Sequence, residues 1–227
     1  MRPVSTDRFE PRPDTRPDES PWPAMRWPVE PGIELAGDTV TVRPLDPRAD
    51  GPELFTALDH DRVWAHVPGR PGSVAEFVRN LEQRVAQPDW QLWTVRLRRP
   101  VAGLRAGSIA GMTAYLDVQV HNAALEVGYT VYRPEVWATA VNPETKRLLL
   151  GHAFEVLGAG RVQLKTDVRN HRSQQAIARL GAVYEGTLRR HFRRADGTVR
   201  DSVLFAVTVE DWPVVRAGLD ARLAEQD

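Results

Sequence analysis

The stretch from residue 124 to residue 166, ALEVGYTVYRPEVWATAVNPETKRLLLGHAFEVLGAGRVQLKT, decides the predicted fold. Its first nine residues are rich in β-branched and aromatic side chains and predict a strand over 124–132. A helical pattern starts at Asn142, and a second strand is predicted over 162–166. The apolar face of that helix carries Leu148, Leu149, Ala153, Phe154 and Leu157. Strand, helix and strand in this order predict a parallel pair joined by a right-handed crossover.

The start of the predicted helix has the residues expected at such a point. Asn142 is the predicted cap, Pro143 takes the first helical position, and Glu144 places an acid in the first turn. A helix that starts directly after a buried strand offers free main-chain amides to an anion, and a pyrophosphate would fit there. Small residues at 138–140 let a ligand approach the backbone. The loop by itself is at least as compatible with an ordinary capped helix, so both interpretations stay open.

Further strands and helices flank this unit. Strands predicted over 91–98 and 108–118 lead into it with short connections, which favours an antiparallel meander. A helix predicted over 170–180 follows it. A hairpin comes next, with strands at 183–193 and 199–209 joined by Ala195-Asp196-Gly197-Thr198. Other helices are predicted at 49–59, after the capping box Ser73–Glu76, and after Pro213. The predicted class is α/β (α+β), with a mixed, mostly antiparallel central sheet and helices on both faces.

Composition narrows the function classes. The chain has 227 residues, and it contains no cysteine, so a thiol nucleophile is excluded. Its formal net charge is zero, so we do not expect a nucleic-acid-binding protein that relies on overall positive charge. The six histidines lack metal-ligand spacing, and no apolar run approaches a membrane span. We therefore expect a cytoplasmic protein without a metal or a membrane anchor. Residues 1–32, rich in Pro, Arg and Asp, are predicted to form an extended or disordered arm, and 33–227 the folded domain. Trp22 and Trp27 could dock on the domain or on a second subunit.

Three segments carry a family resemblance. They are ALEVGY at 124–129, NHRS at 170–173 and RLGAVYEG at 179–186. In this order they resemble the GNAT acetyltransferase family, and most closely its RimJ/RimL-like branch. The resemblance implies an acyl-CoA-dependent N-acetyltransferase with acetyl-CoA as acyl donor and no metal. The acceptor would be the amine of a protein N-terminus or of a small molecule. Homodimers are common in this branch.

The resemblance also implies cofactor-binding residues, with one departure. The family's pyrophosphate loop usually reads Q/R-x-x-G-x-G/A, but Trp137, Ala140 and Asn142 occupy those positions here. Main-chain donors do not require glycine, so the amides of the loop could still bind phosphate. In the family, the strand before this loop diverges from its neighbour and offers main-chain groups to the pantetheine arm, which implies that role for residues 130–132. Asn170 matches an asparagine that bonds the same arm. The implied set is Thr130, Val131, Tyr132, Trp137, Thr139, Ala140, Val141, Asn142 and Asn170.

Acyl transfer from a thioester to an amine needs a base, an oxyanion donor and an acid for the thiolate. Glu126 is the first candidate base, because a carboxylate in a central strand is expected to have a raised pKa. Alternation predicts that Glu126 points to the same side as Gly128 and Thr130. The opposite, apolar face of the strand would consist of Leu125, Val127, Tyr129 and Val131. Ser173 matches the family serine that protonates the thiolate. A purely structural role remains open for both Glu126 and Ser173.

His191 is a second candidate base. It lies one residue before Phe192, the position where the branch carries a carboxylate, and would face the opposite side of the strand. A partly exposed histidine among arginines is the alternative interpretation. The surrounding arginines could attract an acidic ligand or form a solvated hairpin face; they are Arg189, Arg190, Arg193, Arg194 and Arg200.

Two other classes of function compete with the enzyme. A degenerate acyl-CoA-binding or protein-interaction module would keep the fold and lose turnover, which the loop without glycines would suit. A nucleic-acid-binding module would use the arginine-rich hairpin. The zero net charge makes the last hypothesis the weakest.

Overall fold

The computed structural model describes residues 11, 13, 14, 21–194 and 196–225, so Ala195 and most of the predicted arm lie outside the described residues. The elements in chain order are β1 (Leu35–Ala36), β2 (Val40–Pro44), α1 (Pro47–Leu58), α2 (Asp61–Trp64), α3 (Val74–Val85), β3 (Gln91–Leu97), β4 (Ile109–Gln119), β5 (Ala124–Tyr132), α4 (Val141–Gly151), β6 (Arg161–Asp167), α5 (His171–Ala178), β7 (Val183–Arg193), β8 (Val199–Thr208) and α6 (Trp212–Ala224). A π-helical turn over His152–Val156 extends α4.

The strands form one mixed sheet. Their order is β1-β2-β3-β4-β5-β6-β8-β7, and β5–β6 is the parallel pair while the other neighbours are antiparallel. The predicted meander, the crossover through α4 and the final hairpin are therefore confirmed. The mostly antiparallel sheet confirms the predicted fold class.

Helices cover both faces of the sheet, as the sequence predicted. On one face, Leu54 of α1 and Phe77 of α3 belong to a buried cluster with Met112 and Val131. On the other, α4, α5 and α6 contribute to a larger buried cluster; its members include Leu149, Ile177, Leu219, Trp93 and Leu125. Burial of this apolar surface is the main stabilising contribution to such a layered fold.

The segment 21–32 runs without helix or strand across the domain. Met25 and Val29 are buried in the larger core cluster. The indole of Trp27 donates to the carbonyl of Pro88 at 2.7 Å and meets the ring of Tyr115 edge-on. Trp22 is 70% exposed, and its indole donates to a carbonyl of the domain. Both tryptophans thus contact their own domain, while the domain boundary at residue 32 stays a prediction.

A bulge in β5 reverses which face each side chain takes. Gly128 pairs with Ala114 and Val131 with Met112, so Tyr129 and Thr130 together oppose the single residue Thr113. Tyr129 has φ 47°, a left-handed conformation that the extra residue requires.

The bulge corrects the predicted alternation. Glu126 pairs with Leu116 on the face covered by α1 and α3. Thr130 instead lies on the face of α4, where it bonds Lys146. The prediction that Glu126 and Thr130 share a face, with Tyr129 and Val131 beside Leu125, is therefore wrong. A two-residue period holds only while the strand has no extra residue.

Candidate active site

A gap opens in the middle of the sheet between β5 and β6. These two fully described strands pair only at Ala124↔Arg161, Leu125↔Val162 and Glu126↔Gln163. Beyond Glu126, β5 remains paired with β4 as far as Tyr132, and β6 remains paired with β8 as far as Asp167. The two halves of the sheet therefore diverge from Glu126 onwards. A crevice at the carboxyl ends of parallel strands is a general location for ligand sites in α/β proteins.

Glu126 lies at the point where the gap begins. Its side chain is 4% exposed, and its Oε2 lies 2.7 Å from Nζ of Lys165 and accepts from Nε2 of Gln163 at 2.9 Å. Lys165 also donates to Asp117 on β4 at 3.0 Å. A Cβ added at Gly128 would lie 2.7 Å from Oε1 of Glu126, so the glycine leaves the space that this carboxylate occupies.

The ionisation of this pair follows from burial and attraction. Burial raises the pKa of Glu126, and the ammonium of Lys165 and the amide of Gln163 oppose that rise only in part. For Lys165, burial disfavours the charged form, but attraction to Glu126 and Asp117 outweighs it and raises the pKa. The direction of this shift agrees with the predicted raised pKa of Glu126, and a raised pKa favours a carboxylate as a proton acceptor.

Lys146 is a functional candidate that sequence reasoning missed. This residue of α4 is 4% exposed, and its Nζ donates to Thr130 at 2.7 Å and to Thr113 at 3.3 Å. Burial lowers its pKa to about 7, and the nearby charge of Glu126 opposes that shift. The sequence contained one signal: Lys146 precedes Leu149, Leu150 and Ala153 by three, four and seven residues, which places it on the apolar face of the helix.

The start of α4 differs from the prediction. The cap residue is Ala140, whose own side chain makes no capping hydrogen bond, and Asn142 and Pro143 are the second and third helical residues. Asn142 is therefore not the cap. The hydroxyl of Thr139 replaces it, because it donates to the carbonyl of Val136 at 2.7 Å and accepts from the amide of Val141 at 3.3 Å. Pro143 has no N–H, so the first turn presents fewer amides than a glycine-rich loop would.

The start of α5 agrees with the prediction. Asn170 is the cap, and its Oδ1 accepts from the amide of Ser173 at 3.1 Å. Ser173 is thereby held in the first turn of the helix that follows β6. The proton-donating role of Ser173 and the cofactor contact of Asn170 stay predictions.

Trp137 connects the two helix starts at the mouth of the gap. Two guanidinium groups lie over its ring, with Arg172 of α5 at 3.5 Å and Arg62 of α2 at 4.9 Å from the ring centroid. Its indole donates to the carbonyl of Tyr132 at 3.0 Å. Beside it lies a cavity of about 360 Å³. Arginine and histidine dominate its lining, which consists of Arg62, Ala65, His66, Arg169, Asn170, His171 and Arg172.

His191 does not face away from Phe192. A register shift between Leu188 and Phe192, with φ 53° at Arg190, brings the His191 and Phe192 ring centroids to 3.9 Å. The prediction of opposite sides is wrong because β7 is irregular there. Burial, and then the charges of Lys165 and Arg200, lower the pKa of His191. Within the described part of the chain, its buried Nδ1 has no hydrogen-bond partner.

The hairpin arginines do not form one patch. Arg194 is bound to Asp167, with Nε to Oδ2 at 2.6 Å, and Arg200 lies over the ring of Phe192. Arg189, Arg190 and Arg193 are exposed. In the described ranges, no group of three or more His, Asp and Glu could hold a metal ion, and no helix is long and apolar enough to cross a membrane.

Comparison with known proteins assigns the class that this fold and gap suggest. Residues 39–183 match the family model described as Acetyltransferase (GNAT) domain, and the chain belongs to that family. It is an acyl-CoA-dependent N-acetyltransferase. A relative of Bacillus subtilis (strain 168), named "Putative ribosomal N-acetyltransferase YdaF", is 25% identical over 178 residues, which are 76% of this chain and 93% of the relative. The RimJ/RimL-like resemblance is thereby confirmed.

Solved structures show the same fold. A protein of T. thermophilus described as a "putative acetyltransferase" is 35% identical, with a TM-score of 0.75 over 87% of this chain and 100% of that one. Mycobacterium smegmatis RimJ in complex with CoA-disulfide is 19% identical, with a TM-score of 0.67 over 82% and 90% of the two chains. Vibrio cholerae spermidine N-acetyltransferase with CoA and spermine is 15% identical, with a TM-score of 0.63 over 77% and 98%.

Proposed function

We propose that the protein moves an acetyl or other short acyl group from acyl-CoA, bound in the β5–β6 gap, to a primary amine. The observation that carries the proposal is the divergence of β5 and β6 immediately after Glu126. The gap would accommodate an extended pantetheine arm beside the main chain of Thr130, Val131 and Tyr132. The solved RimJ and spermidine acetyltransferase complexes, which share the fold, contain CoA-disulfide and CoA respectively.

Basic side chains at the mouth of the gap support binding of the phosphate end. The first turn of α4 offers the amides of Ala140 and Asn142, whereas the amide of Val141 donates to the hydroxyl of Thr139 at 3.3 Å. Because the glycines are absent and Pro143 has no N–H, these donors alone are fewer than the family loop supplies. Arg62 and Arg172, held against Trp137, add positive charge next to the α5 start, where Asn170 lies. Charge-assisted hydrogen bonds from arginine suit phosphate well.

Direct attack of the amine requires no covalent enzyme intermediate. Glu126 would take the proton from the incoming ammonium, directly or through one water. The nitrogen would then form a bond to the thioester carbonyl carbon, and the carbon–sulfur bond would break. Ser173 would give a proton to the departing thiolate and would regain one from the second proton that the nitrogen loses as the amide forms. The ion pair with Lys165 favours the ionised form of Glu126 and opposes the effect of burial, which suits a base.

The acceptor is proposed to be the primary amine of a protein N-terminus or of a small molecule. The curated relative is named for a ribosomal substrate, and the Vibrio cholerae structure contains spermine. The outer edge of β7 has no strand partner among the described residues and exposes apolar side chains, which fits the expected homodimer. The homodimer and the cytoplasmic location stay predictions.

Calorimetric titration with acetyl-CoA tests the donor site. We expect the wild-type protein to bind with a Kd of about 1–100 μM, within the usual range for enzyme substrates. Ala140→Glu should abolish binding, because its carboxylate would lie beside the phosphates. Ala140→Gln is the matched control, since it adds the same bulk without charge and should retain most of the affinity. If neither acetyl-, propionyl- nor succinyl-CoA binds to well-folded protein, the non-enzymatic interaction module replaces this proposal.

A further inference from the structure

Lysine is rare in this chain, and both lysines lie beside the gap. Of the 30 basic residues other than histidine, only Lys146 and Lys165 are lysines. All other such positions use arginine, which stays protonated at any accessible pH. Lys165 contacts Glu126 from β6, and Lys146 approaches β5 from α4. A lysine among so many arginines indicates positions where a compact amine, or one that can lose its proton, is needed.

Lys146 of α4 forms hydrogen bonds to residues at the bulge of β5. Its Nζ donates to Thr130, one of the two residues that form the bulge, and to Thr113, which opposes them on β4. Thr113 and Thr130 also share a hydrogen bond of 2.7 Å, and Thr113 donates to the carbonyl of Gly128 at 3.2 Å. The amine therefore closes a network that fixes β5 where it leaves β6.

Among the residues that the structure describes, Glu126 is the one charged group that affects the pKa of this amine. The hydrogen-bond partners of the amine in the described residues are hydroxyl groups, and Glu126 is the charged group whose field favours its protonation. Burial acts more strongly in the opposite direction, so the pKa lies at about 7. Protonation makes Nζ a threefold donor, whereas the neutral amine donates less and more weakly.

We propose that Lys146 is a positioning residue of the acyl-donor site: its protonated amine fixes Thr130 and the open half of β5, and loss of the proton weakens that hold. The inference rests on the proposed function, because it assumes that acyl-CoA lies along this half of β5. Acyl-CoA affinity should therefore fall between pH 6 and pH 8.5 by about fivefold to tenfold, which corresponds to the net contribution of one ordinary hydrogen bond.

Lysine-selective NMR of the full-length chain tests the titration directly. Labelling lysine at Nζ gives only two signals, and Lys146→Arg assigns them by removing one. We expect the Lys146 signal to titrate near pH 7 and to shift when CoA is added. A Lys146 signal that titrates above about pH 9, near the value of free lysine, would overturn the proposal. This measurement needs only wild-type protein if the variants fail to fold.

Calorimetry with acetyl-CoA at pH 6 and pH 8.5 tests the consequence. Lys146→Met should show the same weak affinity at both pH values, with a raised KM for acyl-CoA and an unchanged kcat at saturating donor. Arg147→Met is the control, since it removes a cation from the next position of α4, where Arg147 binds Asp220. It should keep the wild-type pH dependence.

The outcomes separate this inference from the proposed function. If wild-type protein binds acetyl-CoA and Lys146→Met keeps the wild-type pH dependence, the positioning role is wrong while the donor site stands. If wild-type protein binds no CoA, both fail together. A mass increase of Lys146 itself after incubation with acetyl-CoA would also overturn the positioning role, because the amine would then be an acceptor.

Discussion

The two halves of β5 each contact a lysine, and the pKa values of these two lysines are shifted in opposite directions. In the first half, paired with β6, Glu126 meets Lys165 at 2.7 Å, and the lysine pKa is raised. In the second half, which diverges from β6, Lys146 meets the hydroxyl groups of Thr113 and Thr130, and its pKa is lowered to about 7. Two lysines near the same carboxylate thus differ because one has it as a direct partner and the other does not.

This difference in electrostatic environment suits the two halves of β5 to different functions. A carboxylate whose ionised form is favoured by a direct ion pair, yet whose pKa is raised by burial, is suited to accept a proton. An amine buried among hydroxyl groups is suited to fix the backbone and to respond to pH. The bulge at Tyr129 makes this division possible, because it places Glu126 and Thr130 on opposite faces of one strand.

Removal of the carboxylate should have the largest effect. Glu126→Gln keeps the shape and the hydrogen bond to Gln163 but cannot take a proton, so kcat should fall by about 10²–10⁴-fold. Acetyl-CoA affinity should change little, because we propose that the donor binds along the other half of β5. Steady-state kinetics with a responsive amine, together with calorimetry, checks both expectations. Activity within threefold of wild type would make Glu126 a structural carboxylate.

Removal of the buried amine should change stability in a pH-dependent way. The folded-state pKa of Lys146 is about 7, below the ordinary value of 10.5, so the unfolded chain binds more protons between these values. The cost of burying the charge is therefore complete below pH 7 and disappears as the pH rises towards 10.5. Lys146→Met should be more stable than wild type at pH 6, by about 2–4 kcal/mol.

Urea unfolding at pH 6 and pH 9.5 measures that difference. The advantage of Lys146→Met should shrink at the higher pH, whereas Arg147→Met should show no such trend. A constant difference between Lys146→Met and wild type at both pH values would contradict the lowered pKa.

The frame of the site could be predicted from the sequence because it depends on local signals. The bounds of β5, the crossover through α4 and the cap at Asn170 follow from periodicity and from residue types near in sequence. Glu126 is identifiable for the same reason: a lone carboxylate in an apolar strand is visible without any knowledge of its partners. Its direct contact with Lys165 depends on the register of two strands and could not be read from either strand.

The predictions are incomplete or wrong where an irregular backbone, or a contact that residue type does not reveal, determines the local structure. A positive φ at Tyr129 has no sequence signal beyond the neighbouring Gly128, so simple alternation misses the bulge and the changed faces. Residue type favours Asn142 as the cap of α4, although the Thr139 hydroxyl does that work. From its position in the first turn, Glu144 is predicted to interact with the helix dipole. Its carboxylate is in fact buried and accepts hydrogen bonds from the amides of residues 38–40 at 2.6–2.9 Å.

Removal of Lys165, the direct partner of Glu126, should have a smaller effect than the two substitutions above. It tests directly how this lysine shifts the pKa of Glu126. Lys165→Met takes away the main attraction that opposes the rise in the pKa of Glu126, so that pKa should rise further. The carboxyl group then becomes protonated at a higher pH, and the acidic limb of the kcat/KM profile should move upwards. Lys165→Arg keeps a cation beside Glu126 and should leave the limb close to that of wild type. An acidic limb that stays in place in Lys165→Met would mean that Glu126 is not the group that titrates, and His191, whose pKa Lys165 also lowers, would become the base to test.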